Sequence, residues 1–402
     1  MSPVLLLAIY TALSVLGGWM TGLCLRAWPL TAARAGQLRV FWLAPYIALS
    51  LLPVAGAFLP DGRAKFGLQA AGNVYLGFYI YYGGLMLTLL FLSFVLRIVS
   101  GGRLAQHWHG GILCVSLVAS LALLGYGLVH AQHTVVNRYT LKVDKPGEDM
   151  RLVLLGDLHL SVNSRLSTTQ KMVELVNAEH PDVVVVAGDI FTSSYAGLSN
   201  PDAYAEALRG ILSKQGVYAV YGNHDVEETL LGGFPISPIS QAFRSAEMER
   251  FLGDCGFIAL MDEVVTLNGG VQLAGRVDGE KAGDGTTNRM SPEELLANAD
   301  NSRPILVLQH EPRGFKALHD AGADVALCGH THAGQIFPGN LIIPLFNENA
   351  WGHVRVHGLD TFVTAGVGYY GPPIRIGTNS EITVIDFRFE EREQGTGSRE
   401  QE

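Results

Sequence analysis

Acidic side chains are almost missing from the first third of this sequence: Asp61 is the only one before Asp144. Across all 402 residues only 16% are Asp, Glu, Lys or Arg, against about 25% in ordinary soluble domains. A water-facing domain needs a charged surface, so the N-terminal third is excluded from that class. Cysteine is scarce as well. There are four, with no pair at CxxC spacing, which excludes a thiolate zinc ribbon and a disulfide framework. A single bridge between Cys255 and Cys328 stays open for a domain outside the cytoplasm. Basic residues are not in excess: the formal net charge is -9, and no nucleic-acid partner is expected. No basic side chain precedes the first apolar run, as the n-region of a signal peptide would require. There is no internal repeat.

What the first third does contain is four uncharged apolar runs, Pro3 to Leu25, Val40 to Pro60, Val74 to Leu96 and Gly110 to Val129. Each has about 20 residues or more, the length that crosses ~30 Å of hydrocarbon as a helix. Each is apolar on every face, which a core helix of a soluble protein seldom is. With no ionisable side chain inside them they line no ion path, which argues against a transporter. Arg26, Arg34 and Arg39 follow the first run and Arg97 and Arg103 the third. By the bias of basic residues to the cytoplasm, those two connections lie inside and both termini outside. Residues 1–132 are therefore expected to form a four-span, multi-pass membrane domain, with the remainder extracytoplasmic.

From about His133 short β-rich runs alternate with helical stretches, the pattern of an α/β domain with parallel pairing. Leu152–Leu155, Val183–Ala187, Val217–Tyr221, Val271–Ala274, Ile305–Gln309, Val325–Cys328 and Ile382–Phe387 read as buried strands. Thr134 to Val143 alternates like a strand too. Ser167-Thr168-Thr169-Gln170 is expected to open a helix with a capping box. The domain should run over 133–389, and 390–402 should be a disordered polar tail.

Polar residues gather where those strands end. Asp157 and His159 follow the first ("LLGDLHL"), Asp189 the second ("VVAGDIF"), and Asn223, His224 and Asp225 the third ("VYGNHDV"). His310 follows another ("LVLQHEP"), and His330 and His332 stand in "CGHTHAGQ". Ligand groups collect at the carboxyl ends of strands in open α/β sheets. The mixture of carboxylate, amide and imidazole suits manganese, zinc or iron. Seven such side chains exceed one tetrahedral ion and suit two divalent ions sharing a carboxylate, the arrangement of two-metal phosphoryl-transfer sites.

The ordered blocks D-x-H, G-D, G-N-H-D, H and G-H-x-H resemble the calcineurin-like metallophosphoesterase superfamily, over about Arg151 to Phe387. With the four spans and the endings "VTAGVGYYGPPIRIG" and "SEITVIDF", the chain is most similar to its membrane-bound bacterial branch of predicted phosphohydrolases. The resemblance implies a two-sheet βαβ sandwich flanked by helices. It implies one ion on Asp157, His159, Asp189 and His332, and a second on Asp189, Asn223, His310 and His330, with Asp189 bridging. The His-Thr-His spacing is expected to send alternate strand-like side chains to one face, one imidazole to each ion. The resemblance further implies a metal-activated hydroxide as nucleophile and His224 as the acid that protonates the leaving group. Asp225 either orients His224 or caps a turn. Arg276 and Arg375 either clamp phosphate or form salt bridges such as Arg375–Glu381. The implied function is a membrane-anchored, metal-dependent hydrolase of phosphomono- or diesters. A lipid-borne substrate is suggested by the short link from the last span and by the apolar loops Leu230–Ser240 and Phe337–Asn347. The alternatives are a pyrophosphate hydrolase of a nucleotide-linked lipid and a non-catalytic phosphate-sensing membrane module.

Overall fold

In the computed structural model, residues 3–27, 35–101, 108–231 and 233–390 are described. The expected tail beyond Glu390, with Arg34 and Arg103, lies outside them. The apolar runs form helices α1 (Pro3–Ala27), α2 (Ala35–Ser50) continued by α3 (Leu52–Phe58), α4 (Arg63–Val99) and α5 (His109–His130). They make four spans long and apolar enough to cross a membrane. The second span breaks at Leu51, two residues before Pro53 in the first turn of α3: proline has no N–H to give to the carbonyl four residues back. Small residues let the helices approach closely. A Cβ on Gly72 of α4 would stand 3.1 Å from the Pro53 nitrogen. Polar groups are paired across helices, Tyr46 Oη donating to the Ser14 carbonyl at 2.7 Å and Tyr10 Oη to that of Ser50 at 2.6 Å. Such contacts hold helices together where no hydrophobic effect acts between them.

Helix α4 departs from expectation. The apolar run predicts a start near Val74, but the helix begins at Arg63 and has 37 residues, about 55 Å at ~1.5 Å per residue. Its polar first turns leave the hydrocarbon and stand against the second domain. Lys65, Phe66, Gln69 and Asn73 wall a cleft there together with Ser161, Thr192 and Ser193.

Only residues 131–133 separate α5 from strand β1 (Thr134–Val143), which pairs in parallel along its whole length with the last strand, β14 (Ser380–Phe389). The first sheet has the order β1-β14-β2-β3-β4-β7, with β2 at Met150–Leu155, β3 at Val183–Ala187, β4 at Val217–Val220 and β7 at Phe257–Ala259; β5 (Leu230–Leu231) and β6 (Phe234–Pro235) form a separate short hairpin. The second has the order β12-β13-β11-β10-β9-β8, with β8 at Glu263–Thr266, β9 at Gln272–Gly275, β10 at Ile305–Leu308, β11 at Val325–Cys328, β12 at Gly352–Val356 and β13 at Leu359–Val363. Strand periodicity decides the layers. Leu152, Leu154, Val183 and Val185 point to the other sheet and pack near Leu306, Leu308 and Leu327. Their neighbours Val153, Leu155, Val184 and Val186 turn outward, under helices α6 (Leu166–Ala178), α7 (Pro201–Arg209) and α8 (Ala246–Asp254). Each such fully buried Val or Leu contributes about 1.5–3 kcal/mol, and both faces of these central strands must be apolar because both are covered.

Two local expectations change. Ser167 does not cap α6: the helix begins at Leu166, and the cap residue Arg165 makes no side-chain capping bond. A capping box does form elsewhere, between Ser291 and Glu294 around α9 (Pro292–Leu295). Cys255 and Cys328 are separate buried thiols in different core clusters.

Candidate metal centre

Strands β2, β3 and β4 of one sheet and β10 and β11 of the other end at the same edge of the sandwich, and the seven predicted ligands come from the loops that follow them. Asp157, His159 and His332 present one donor atom each within 4.8 Å of one another, and Asp189, His310 and His330 do the same. Asp189 Oδ2 lies between the groups, 3.5 Å from His159 Nε2 and 3.1 Å from His310 Nε2. Asn223 Oδ1 is 3.0 Å from His310 Nε2, which joins it to the second group.

The backbone here is unusual. Five of these seven residues have left-handed φ: Asp157 at 52°, His159 at 46°, Asp189 at 51°, His330 at 76° and His332 at 51°. Residues with a Cβ seldom adopt this region, and such strain persists only where the surroundings impose it, chiefly at functional sites. It also corrects the strand-like account of His-Thr-His. His330 and His332 do reach different groups, but through two left-handed turns, with His332 opening a short 3₁₀ segment. Gly222 supplies the needed closeness: a Cβ there would stand 2.3 Å from Asp189 Oδ1.

The donor atoms converge on the two groups. His310 Nδ1 faces the Ala187 carbonyl at 2.7 Å; a carbonyl can only accept, so that nitrogen carries a hydrogen and turns Nε2 toward the other donors. Burial holds His159 and His330 down to about 3 and His332 well below its ordinary value, so these imidazoles are neutral. Burial lifts Asp157 to about 7. For Asp189 burial acts upward, but the imidazoles of His310 and His224 hold the carboxyl well below its usual range. Conversely, burial acts downward on His310, and the Asp189 carboxylate overrides it, raising that imidazole well above its ordinary value. With both nitrogens protonated, His310 Nε2 faces Asp189 Oδ2 and Asn223 Oδ1, where a divalent cation would take the place of the proton. His159 Nε2 and His332 Nε2 are 3.0 Å apart and His330 Nδ1 and His310 Nε2 3.1 Å. Two donors each ~2.1 Å from one ion stand about 3.0–3.4 Å from each other. Imidazoles, carboxylates and an amide oxygen at these separations fit two divalent ions.

His224 lies beside the centre, its backbone N–H donating to Asp189 Oδ1 at 2.8 Å. Asp225 does not orient it. One Asp225 oxygen accepts from the N–H of Phe191 and the other from that of Gly222, both at 2.8 Å, so it ties two loops together. The groups at His224 Nδ1 are ones the sequence reading missed: Ser193 Oγ at 3.2 Å and Glu228 Oε1 at 3.4 Å. Lys281 Nζ donates to both Glu228 oxygens at 2.7 Å. Tyr370 also went unassigned. Its ring stacks on His224 at 4.3 Å between centroids and lies 5.3 Å from His159. The arginines are corrected too. Arg375 is fully buried and donates to the carbonyls of Ala365, Gly366, Gly368 and Asn379, which leaves no fork for a phosphate. Glu381, its proposed salt-bridge partner, accepts instead from Asn137, Trp351 and the Ala365 N–H. Arg276, 3% exposed, donates to Gln309 and to the Met290 carbonyl.

A two-sheet sandwich that gathers ligands for a pair of ions from both sheets, around one shared carboxylate, defines a class of dinuclear metalloprotein. The calcineurin-like phosphoesterase family profile matches residues 150–334. A transmembrane protein with metallophosphoesterase domain from Danio rerio is 32% identical over 334 residues, covering 75% of this chain and 71% of that protein. An uncharacterized metallophosphoesterase of Helicobacter pylori is 29% identical, over 66% of this chain and 68% of that protein. One from Aquifex aeolicus is 28% identical, over 66% of this chain and 97% of its own length. The chain belongs to the calcineurin-like metallophosphoesterase family, and its four apolar spans make it a membrane protein.

Proposed function

We propose that this protein is a membrane-anchored, metal-dependent phosphoester hydrolase whose catalytic domain stands on the extracytoplasmic side. The observation that carries the hydrolase reading is the pair of ligand groups meeting at Asp189, with His224 hydrogen-bonded to the same carboxylate. Two divalent ions there would supply Lewis acidity toward a phosphoryl group and lower the pKa of water. Asp157, His159 and His332 would hold one and Asn223, His310 and His330 the other, with Asp189 between. Ser193 and Glu228 occupy His224 Nδ1, which leaves Nε2 to give its proton to the departing alkoxide. Such a fixed acid is of no use to a module that only senses phosphate. The side assignment is supported by which helix ends meet the domain. Leu6 and Ala57 pack with Leu231, and His130 reaches the Thr378 carbonyl at 3.2 Å, whereas Arg26 and Arg97 lie in the last turns at the opposite ends of their helices.

The test uses purified full-length protein with manganese on nitrophenyl phosphate and bis(nitrophenyl) phosphate, before and after chelation. Hydrolysis should vanish with the metal, and Asp189→Asn should lose metal and turnover together. Full metal content in that variant, or hydrolysis untouched by chelation, contradicts the assignment.

A further inference from the structure

The groove between α1 and α4 points to the substrate class: we propose that it holds an acyl chain of a lipid phosphoester whose phosphate reaches the metal centre, an inference that rests on the hydrolase reading. The groove has a volume of about 560 Å³, within the ~300–1,000 Å³ of small-ligand sites. Leu13 and Met20 wall it on one side, Ile80, Gly84 and Leu87 on the other, and its far end is Tyr370. That ring is the one stacked on His224. The groove is therefore lined by span residues along its length and by the catalytic domain at one end.

A second apolar groove, between α1 and the second span, is the same size, about 560 Å³, but every residue lining it lies between Leu7 and Val54. No residue of the second domain lines it, as in an ordinary inter-helix cleft. The α1/α4 groove differs by what adjoins it. Gly233 and Gly371 line both it and the polar cleft of about 380 Å³ walled by Gln69, Asn73, Ser193 and Glu228. Ser193 and Glu228 are the two groups at His224 Nδ1. An apolar slot thus adjoins a polar chamber on the Nδ1 side of His224, and its own end is the Tyr370 ring stacked on that imidazole. The molecule with that polarity profile is an amphiphile with a phosphate between headgroup and tail. The floor is open as well: a Cβ added at Gly84 meets no atom within 4 Å, so a larger side chain there enters the groove rather than a neighbouring helix.

The experiment titrates the full-length protein in dodecyl maltoside with phosphatidic acids of rising chain length, dihexanoyl to dioleoyl. Binding is read by native mass spectrometry, and hydrolysis of nitrophenyl phosphate with manganese is measured separately. Binding should tighten with chain length. Gly84→Leu should weaken the dioleoyl lipid by at least about ten-fold relative to the dihexanoyl one, the loss of roughly two buried methylenes. Wild-type binding that ignores chain length overturns the proposal without needing the variant. So does a variant that weakens both lipids equally, or a Gly84→Cys protein that cross-links to a second copy, which gives the groove to a partner helix. Loss of the hydrolase reading shows up elsewhere, as absence of nitrophenyl phosphate turnover while the chain-length dependence stands.

Discussion

Glu228→Gln is the most informative single change, because Glu228 is buried between two cationic or titratable partners. Its side chain is fully shielded from solvent and that of Lys281 is 9% exposed, with Nζ–O at 2.7 Å. Burial acts to raise the Glu228 carboxyl, but the hydrogen bond from His224 and the charge of Lys281 outweigh it and keep it ionised. Removing one partner of such a pair leaves a buried, uncompensated charge, at about 3–5 kcal/mol. For a domain of roughly this size that corresponds to a fall in melting temperature of about 6–20 °C, at ~2–4 °C per kcal/mol. Lys281→Met should cost a similar amount for the same reason. The double variant Glu228→Gln/Lys281→Met leaves no stranded charge, so its melting temperature should lie above that of either single variant. The assay is a thermal melt of the three variants in detergent, with turnover of an alkyl phosphate measured alongside. Turnover should stay depressed in the double variant, since His224 has still lost its carboxylate neighbour. Additive losses of melting temperature would refute the buried-pair argument, and full turnover in the double variant would refute the role of Glu228 in holding His224.

Three further outcomes are expected. His224→Ala should keep its metals and lose turnover by roughly 10²–10⁴-fold, less on nitrophenyl esters than on alkyl esters; equal losses on both would contradict the acid role. Gly222→Ala should displace the Asp189 carboxylate, cost about 1–3 kcal/mol of overpacking strain and lower the metal content on elemental analysis, where an unchanged content would show that the close approach is dispensable. A reporter fused after Glu402 should give alkaline phosphatase activity, and fluorescence from a cytoplasm-only reporter would place the domain on the other side.

The strands and the seven candidate ligands were legible because both are written locally. Val183 to Ala187 is apolar at every position because both faces are covered, and each ligand block directly follows such a run. What the sequence did not disclose depends on where distant segments meet. Lys281 reaches Glu228 across 53 positions, and nothing near either residue announces the other. Glu228 follows His224 by only four residues, yet no helix joins them to make that spacing meaningful. Arg375 could be read as a phosphate clamp or as a salt-bridge partner of Glu381, because the sequence around it shows no other group for a guanidinium to meet. Its saturation by carbonyls exists only once the Ala365–Gly368 loop closes around it. Left-handed backbone at His330 and His332 has no signature in side-chain pattern, so an extended reading was natural and wrong in mechanism. The early start of α4 was hidden for a related reason: hydropathy marks where a helix enters hydrocarbon, not where its hydrogen bonds begin.

The brief passage from α5 into β1 has a consequence for where this protein can act. Three residues span at most about 10 Å, and the strand they lead into is zipped along ten positions to the last strand of the domain. The polar end of α4 braces the same side. An enzyme tethered by a long flexible segment sweeps a hemisphere and can visit a facing surface. This domain has no such radius: its ligand-bearing edge is held at a fixed distance from the spans, so under the proposed function encounter with anything borne by the same bilayer is a two-dimensional search within one leaflet.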